Sequence, residues 1–341
     1  MKSTTVVTQD FLDRIGHSTS RYYPDYLAYQ RGEITRRELI SRLPHVAMIG
    51  DSVSTGIYIS TPWRTFWRAR YRHSGNWFLN LDPTLNIESV SKRVETLTPL
   101  VAVHCGGVGT MVDAEGEHEV FARRILGTRN FSGQINQLIG ATRFPDLILI
   151  SIGHNNVDWT WQSPPHELKQ PGSRLQRLRH TFRDIFASRL GTLVKYARQR
   201  SQRTAIIVFG LINFGSYFKG REEAERRRAE DPDLYPHLET TYQYIVSFHP
   251  DYRDNVIRLA EMVNEDLRAM VGEYNGESAA TSTVQLRYSD ALATADLSRA
   301  ELLHAVDGWH ASAKGHNVLA RAAFGDLAPS LDFLAINPSC G

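Results

Sequence analysis

Cysteine is scarce in this chain of 341 residues, which contains only Cys105 and Cys340. Secreted domains that depend on disulfides normally use more cysteine, so we expect both residues to be free thiols. The first residues contain no apolar stretch typical of a signal peptide, and no window is long and apolar enough to span a membrane. The sequence as given therefore predicts a cytoplasmic protein, or a secreted one if a leader has been removed.

Net charge is small as well. The 39 Lys and Arg residues nearly balance the 37 Asp and Glu residues, for a formal charge of +2. Such a balance provides no general attraction to nucleic acid, so we expect no nucleic-acid partner. Arginines on the outer face of the helix predicted at 174–203 leave peripheral contact with lipid headgroups open, but a solvated helix face is the simpler explanation.

Apolar runs of strand length recur along the chain and alternate with helical patterns. This alternation predicts an α/β fold with a mainly parallel central sheet between two helical layers, a three-layer α/β/α sandwich. We predict a helical extension at 1–44 and one enlarged domain at 45–341 with an insertion at about 211–250. The predicted strands are 46–50, 99–103, 147–152, 204–209 and 284–288.

The first strand runs into the short polar segment Asp51-Ser52-Val53-Ser54-Thr55. Loops at the carboxyl ends of parallel strands form the ligand-binding edge of such a sheet, so Ser52 is a candidate nucleophile. The alternative is that Asp51 and Ser52 only form an Asx turn before the next helix.

Asp307 and His310 lie three residues apart near the other end of the chain. A serine hydroxyl needs a base within hydrogen-bond reach and a third group that orients this base. Asp307 could accept the Nδ1 proton of His310 and leave Nε2 facing Ser52. The order along the chain would then be Ser, Asp, His.

Two further loops could stabilise the negative charge that develops on a carbonyl oxygen. A glycine-rich segment at 106–109 follows the second strand, and we choose the backbone N–H of Gly109 as a donor. The third strand leads to Gly153-His154-Asn155-Asn156, where the side-chain amide of Asn155 is a neutral donor.

These four stretches resemble the four blocks of the GDSL, or SGNH, hydrolase family. The four signature residues of that family fall on Ser52, Gly109, Asn155 and His310, and Asp307 matches the aspartate of its Asp-x-x-His block. Two positions depart from the family pattern: Asn156 stands where Asp is usual, and Ala311 follows the histidine where Pro is common. Neither position carries the chemistry.

The resemblance implies a flavodoxin-like α/β/α fold and a serine ester hydrolase of the esterase and lipase type, without cofactor or metal. The triad would be Ser52, Asp307 and His310, with an oxyanion hole of Ser52, Gly109 and Asn155. The substrate would be a small-molecule or lipid ester. The wide spacing of the blocks resembles the phospholipase B side of the family. Tyr58, His154, Trp159, Trp161 and Trp309 could contact substrate near the cleft, although Trp159 and Trp161 could equally fill the core beneath the loop and His154 could serve in loop packing.

Other kinds of chemistry have less support in the sequence. His104, His154 and His310 could approach one cleft, but the chain has no His-x-x-x-His or Cys-x-x-Cys pair typical of a zinc site. The segment 106–109 lacks the lysine of a phosphate-binding loop. A binding module that has lost turnover is disfavoured because every residue that the mechanism needs is present. An acyltransferase with the same triad and a carbohydrate deacetylase remain alternatives.

Overall fold

The structure is a computed structural model. It describes residues 4–7, 11–18, 20–55, 75–107, 112, 130–158, 174–235, 252–276, 283–305 and 310–336, and the structural statements below concern those residues.

The centre of the fold is a six-stranded sheet in the order β1-β3-β2-β4-β5-β6. Five strands are parallel, and β1 pairs antiparallel with β3 at one edge. Apart from this edge strand, the order is that of a flavodoxin-like doubly wound sheet. The predicted α/β fold is confirmed. The strands are β1 Thr4–Val7, β2 His45–Gly50, β3 Val101–His104, β4 Leu147–Ser151, β5 Thr204–Phe209 and β6 Val284–Ser289.

Four of the parallel strands, β2 to β5, form where the sequence has apolar runs, because both faces of the sheet are covered there, whereas β6 at the edge alternates apolar and polar residues. Every residue of β2, β4 and β5 is buried, which requires helices on both sides. The described residues contain twelve α-helices. They are α1 Phe11–Ile15, α2 Tyr23–Gln30, α3 Arg36–Arg42, α4 Val90–Glu95, α5 Phe131–Ile139, α6 His154–Asp158, α7 Arg174–Arg198, α8 Phe214–Glu230, α9 Tyr252–Gly276, α10 Ala291–Thr294, α11 Ala313–Gly325 and α12 Ala328–Phe333.

The N-terminal region contains the expected helices and one strand that the pattern did not predict. The strand is β1, a run of two threonines and two valines that extends the sheet beyond β3. Four residues are too few to show a period, so the sequence carried no usable signal. Thr35 and Glu38 form a capping box at the start of α3, and Phe11 and Leu39 pack against Val101 of β3.

The predicted insertion at about 211–250 begins with helix α8. Its first turns belong to the main core, since Phe214, Tyr217 and Phe218 are buried there. This part is therefore an integral layer of the fold. Residues 236–250 lie outside the described part of the chain.

The basic face of α7 is partly paired within the fold. Arg179 forms a bidentate ion pair with Asp266 of α9, and Arg183 pairs with Glu273 of the same helix. These contacts favour the simpler explanation of that face. Within the described ranges, no helix is long and apolar enough to cross a membrane.

Three buried histidines are held neutral by the fold. Burial lowers the pKa of His45 to about 4, and nearby Arg143 adds to the effect. Burial also lowers the pKa of His104 to about 4. The pKa of His316 falls to about 3 because of burial and the proximity of His310 and His304.

The lowered pKa values of these three histidines predict a loss of stability in mild acid. In the unfolded chain each imidazole takes up a proton near its ordinary pKa of 6.5, whereas the folded protein does not until about pH 4 or below. The unfolded state therefore binds more protons in this window. The free energy of unfolding should fall as pH drops below about 6.5, by up to about 1.4 kcal/mol per pH unit for each histidine.

Urea unfolding at about pH 7 and about pH 5.5 measures this slope. His45→Gln removes one of the three groups far from the candidate site and should reduce the pH slope by about a third. An unchanged slope in that variant would show that His45 is not one of the responsible groups.

Candidate functional site

The carboxyl ends of β2 and β4 form the crevice in which ligands bind in sheets of this strand order. The two strands end side by side, with Gly50 paired in register with Ser151. The loops that follow, residues 51–55 and 152–156, therefore meet at one point of the sheet edge. Ser52, His154 and Asn155 are all carried by these two loops.

Ser52 opens a single 3₁₀ turn that is held by hydrogen bonds at both ends. The side chain of Asp51 accepts a hydrogen bond of 3.1 Å from the backbone N–H of Val53. The hydroxyl and the backbone N–H of Thr55 both donate to the carbonyl of Ser52. The Asx turn considered as an alternative is therefore present. It is compatible with a nucleophile, because it fixes the backbone that carries Ser52.

The floor beneath this turn is built around Gly50, which has no room for a side chain. A Cβ atom there would lie 2.7 Å from the Cβ of Ser54 and 2.8 Å from the carbonyl oxygen of Ser151. The amide of Gln134, on α5, donates to the Gly50 carbonyl at 3.0 Å and accepts from its N–H at 2.9 Å. The N–H of Gly107 donates to the same carbonyl. The end of β2 is therefore clamped from a neighbouring helix and from the loop after β3.

Asp51 joins the two loops of the crevice. Its carboxylate is fully buried and accepts from the backbone N–H groups of Gly153 and His154 at 3.0 and 2.9 Å. It also accepts the Nδ1 proton of His154 at about 3.0 Å. Gly153 has a φ of +123°, a conformation that only glycine adopts readily, and this turns both N–H groups toward the carboxylate.

His154 has both ring nitrogens engaged within the protein. Nδ1 donates to Asp51, and Nε2 accepts the backbone N–H of Ile212, after β5, at 3.1 Å. These contacts define a neutral tautomer with the proton on Nδ1. Asp51, His154 and Ser54 lie near one another, but the only lone pair on the ring faces Ile212. This histidine therefore does not serve as a base for a serine of the turn.

The contact of His154 with substrate stays a prediction. In the structure the ring is buried and both of its nitrogens bond to the protein. What His154 does is connect the loops after β2, β4 and β5.

Asn155 and Asn156 follow in the first turn of α6, and both are half-buried. The side-chain oxygen of Asn156 accepts the backbone N–H of Val112 at 3.0 Å. Asn156 thus ties the loop after β4 to Val112. Gly109 itself lies outside the described residues, as do Tyr58, Trp159 and Trp161.

His310 is half-buried and lies shortly before α11. The backbone N–H of His304 donates to the His310 carbonyl at 2.7 Å, and Leu303 forms an isolated bridge with Ala311. Ser312 then caps α11 by accepting from the N–H of Gly315. Asp307 and Trp309, the other site residues predicted in this part of the sequence, lie outside the described residues.

A mostly buried segment at 75–80 links α11 to the serine loop. The N–H of Trp77 donates to Nδ1 of His316, on α11, at 3.2 Å. The ring of Phe78 packs against that of His104 at 5.9 Å. Nε2 of His104 in turn donates to the carbonyl of Ser54 at 2.8 Å, since a carbonyl oxygen can only accept. Burial keeps this imidazole neutral.

Gln134 supports the site through a contact that sequence reasoning did not find, and His104, named there only as a histidine that could approach the cleft, bonds to Ser54 in a way it did not predict. A signal existed for Gln134: it is the polar member of the buried stripe of α5, between Phe131 and Leu138. A polar side chain on an apolar helix face needs a buried partner, and here the partner is Gly50. His104 carried no comparable signal. Among the described residues, no group of three His, Cys, Asp or Glu side chains could hold a metal ion.

Two comparisons with known proteins bear on this site, and a third finds nothing. A family model described as GDSL-like Lipase/Acylhydrolase matches residues 46–323. The crystal structure of the lipase Lip_vut3 from a goat rumen metagenome is similar to this chain with a TM-score of 0.46 and 11% identity, over 83% of this chain and 96% of that one. A second crystal structure has a TM-score of 0.41 and 12% identity, over 85% of this chain and 98% of that one. A comparison with curated proteins finds no match.

The two structural likenesses are too distant to carry a conclusion. The family model covers most of the chain and includes all four stretches around Ser52, Gly109, Asn155 and His310. The chain therefore belongs to the family of GDSL-like lipases and acylhydrolases.

Proposed function

We propose that this protein is a serine ester hydrolase in which Ser52 is the nucleophile, His310 the general base and Asp307 the residue that orients His310. Family membership supports ester hydrolysis in general. The observation that carries the proposal is the position of Ser52, in a hydrogen-bonded turn at the carboxyl ends of β2 and β4. Ligands bind at this point of a doubly wound sheet.

The reaction would proceed in two steps. Ser52 Oγ attacks the ester carbonyl carbon while His310 takes the hydroxyl proton, and the tetrahedral intermediate then expels the alcohol, which receives that proton. Water attacks the acyl-enzyme with the same proton transfer and releases the acid. The backbone N–H groups of Ser52 and Gly109 and the amide of Asn155 would bind the oxyanion in both steps.

The hydrogen bonds that hold the loops around Ser52 support a role for these loops in binding the oxyanion. Oxyanion stabilisation is effective when donors are fixed before the reaction, because they then need no reorganisation in the transition state. Asp51 fixes the loops that carry Ser52 and Asn155 relative to each other. Asn156 bonds to Val112, three residues after Gly109 in the sequence.

Ser52→Ala should abolish hydrolysis of a short p-nitrophenyl ester, lowering turnover by on the order of 10⁴ to 10⁶ without unfolding the protein. His310→Ala should be as damaging, because the hydroxyl then has no base. A fluorophosphonate should label Ser52 in the wild type, as read by mass spectrometry. Adding an alcohol acceptor to the assay distinguishes hydrolysis from acyl transfer by the product formed.

Ser54→Ala is the matched control for the nucleophile. Ser54 lies in the same turn, and its hydroxyl donates only a long bond of 3.4 Å to the Ser151 carbonyl. This variant should keep most of the activity. If Ser54→Ala inactivates the enzyme while Ser52→Ala leaves activity within about tenfold of wild type, Ser52 is not the nucleophile.

Asn155→Ala should lower turnover by roughly 10² to 10³ with little change in KM, because its amide would bind charge that exists only in the transition state. Asn156→Asp should be tolerated, since a carboxylate oxygen can still accept from the N–H of Val112. The kinetics of both variants on one ester test the assignment. A larger loss of turnover in Asn156→Ala than in Asn155→Ala would move the oxyanion donor by one residue.

His154→Phe tests His154 as a positioning residue. The change keeps a ring but leaves the N–H of Ile212 unpaired and removes one donor to Asp51, which should cost about 1–3 kcal/mol for each unpaired buried group. If His154 aligns the serine and asparagine loops, kcat should fall by about 10-fold to 100-fold at unchanged KM.

His45→Phe is the control for a buried histidine at the opposite end of β2, and it should lower stability while kcat of the folded enzyme stays near wild type. Wild-type kcat in folded His154→Phe would show that His154 stabilises the fold only.

A further inference from the structure

The edge of the sheet opposite the candidate active site contains a cavity of about 180 Å³. It lies where β2, β4 and β5 begin, and the N-terminal helices and the end of α12 complete its walls. Four of its nine lining residues are arginines and one is an aspartate. The lining residues are Arg21, Tyr22, Arg42, Pro44, Arg143, Asp146, Arg203, Leu334 and Ile336.

Two of the four arginines are neutralised by carboxylates. Arg42 forms an ion pair with Asp25, and Arg143 binds both oxygens of Asp146. The four lining arginines together with Asp146 of the lining and Asp25 beside it carry four positive and two negative charges, a net charge of +2. The excess charge belongs to the remaining pair, Arg21 and Arg203.

Arg21 and Arg203 bind only neutral partners among the described residues. Arg21 donates to the carbonyl of Ala335 at 2.8 Å, and Arg203 donates to that of Phe333 at 3.0 Å. Each guanidinium also packs over an aromatic ring, Arg21 on Tyr22 and Arg203 on Phe333. A guanidinium has five N–H donors, so each of these arginines retains donors beyond the one that its carbonyl contact uses.

The wall of the cavity also contains buried donors that lack a well-formed hydrogen bond. The hydroxyl of Tyr22, a residue only 5% exposed, makes no hydrogen bond of normal geometry among the described residues, and its contact with the side chain of Thr98 is a weak one. Burial raises the pKa of Tyr22, so its hydroxyl keeps its proton as a donor. Nε of Arg143 is likewise buried and unpaired among those residues. Native structures seldom leave such groups unsatisfied.

A purely structural role would explain part of this arrangement. An arginine that donates to the last carbonyls of a helix stabilises its C-terminus, as Arg203 does at Phe333 of α12, and Arg21 binds the carbonyl of Ala335 just past that end. That role uses one donor of each side chain. It does not account for four guanidinium groups that line one cavity, for the uncompensated charge of two, or for the weakly bonded hydroxyl of Tyr22 and the unpaired Nε of Arg143 among the described residues.

We infer that this cavity is a binding site for a phosphate dianion, either free or carried by a small ester. A dianion would neutralise the excess charge of Arg21 and Arg203. Planar guanidinium groups bind phosphate oxygens through paired N–H donors, and Tyr22 would supply a neutral donor. The ligand would connect the N-terminal helices, the sheet and the C-terminal helix. Binding to the folded state alone would then raise stability.

Thermal unfolding with inorganic phosphate, at ionic strength held constant with sodium chloride, tests this site. The Tm of the wild type should rise and saturate with phosphate concentration. Arg203→Gln and Arg21→Gln should each weaken the phosphate affinity roughly 10-fold to 100-fold, as expected for loss of a charge-assisted hydrogen bond. Arg31→Gln, at an exposed arginine paired with Glu33, should respond like wild type.

The same measurement with other ligands shows whether the site binds free phosphate or a phosphate ester, and whether it requires a dianion. An equal response to glycerol phosphate would show that the site accepts phosphate esters, and a response to inorganic phosphate alone would assign it to the free ion. Acetate should have no effect, and an equal effect of this monoanion would overturn the assignment to a dianion.

Absence of a saturable shift in the wild type, or an undiminished shift in both site variants, would refute the site. If a glutamine variant does not fold, Arg203→Lys keeps the charge but loses the guanidinium fork. Calorimetry should then show weaker phosphate binding than in the wild type, and equal affinity would refute the site.

Discussion

The buried carboxylate of Asp51 is the interaction on which the geometry of the candidate site depends. A carboxylate without water must have its oxygens satisfied by donors, because an unpaired buried charge is very costly. Here the donors come from its own turn, through Val53, and from the loop after β4, through Gly153 and His154. If either loop moved, the Asp51 carboxylate would lose at least one of its hydrogen-bond donors. The need to satisfy one carboxylate therefore holds two loops at fixed positions.

Neutral side chains extend this arrangement to the neighbouring strands. His154 passes the connection on to the loop after β5, and Gln134 and His104 hold the ends of β2 and of its turn. None of these three side chains adds a charge: Gln134 bonds to both backbone groups of Gly50, His154 links Asp51 to the N–H of Ile212, and His104 donates to the carbonyl of Ser54. A site that must stabilise an oxyanion benefits from such a surrounding, because donors that are already fixed need no reorganisation in the transition state.

The two ends of the same sheet differ in their electrostatics. At the carboxyl edge, the pKa values of His104 and His316 are lowered by burial, and Asp51 is saturated by hydrogen bonds. At the amino edge, Arg21 and Arg203 retain charge that no described carboxylate balances. A parallel sheet makes this separation possible, because all strands begin at one edge and end at the other. Catalysis and anion binding can therefore be placed on one fold without mutual interference.

The sequence alone determined the five parallel strands: β2 to β5 are visible as apolar runs because strands covered on both faces are mostly apolar, and β6 is visible as an alternation of apolar and polar residues. It also determined the family, since four short motifs in order are specific. The roles of Asp307 and Gly109 stay predictions. Only the tertiary structure decided what Asp51, Gln134 and His154 do, and it added β1 to the sheet. The reason is physical: their partners are distant in sequence, and a side chain that bonds to a backbone N–H across the sheet edge leaves no periodic pattern in the chain.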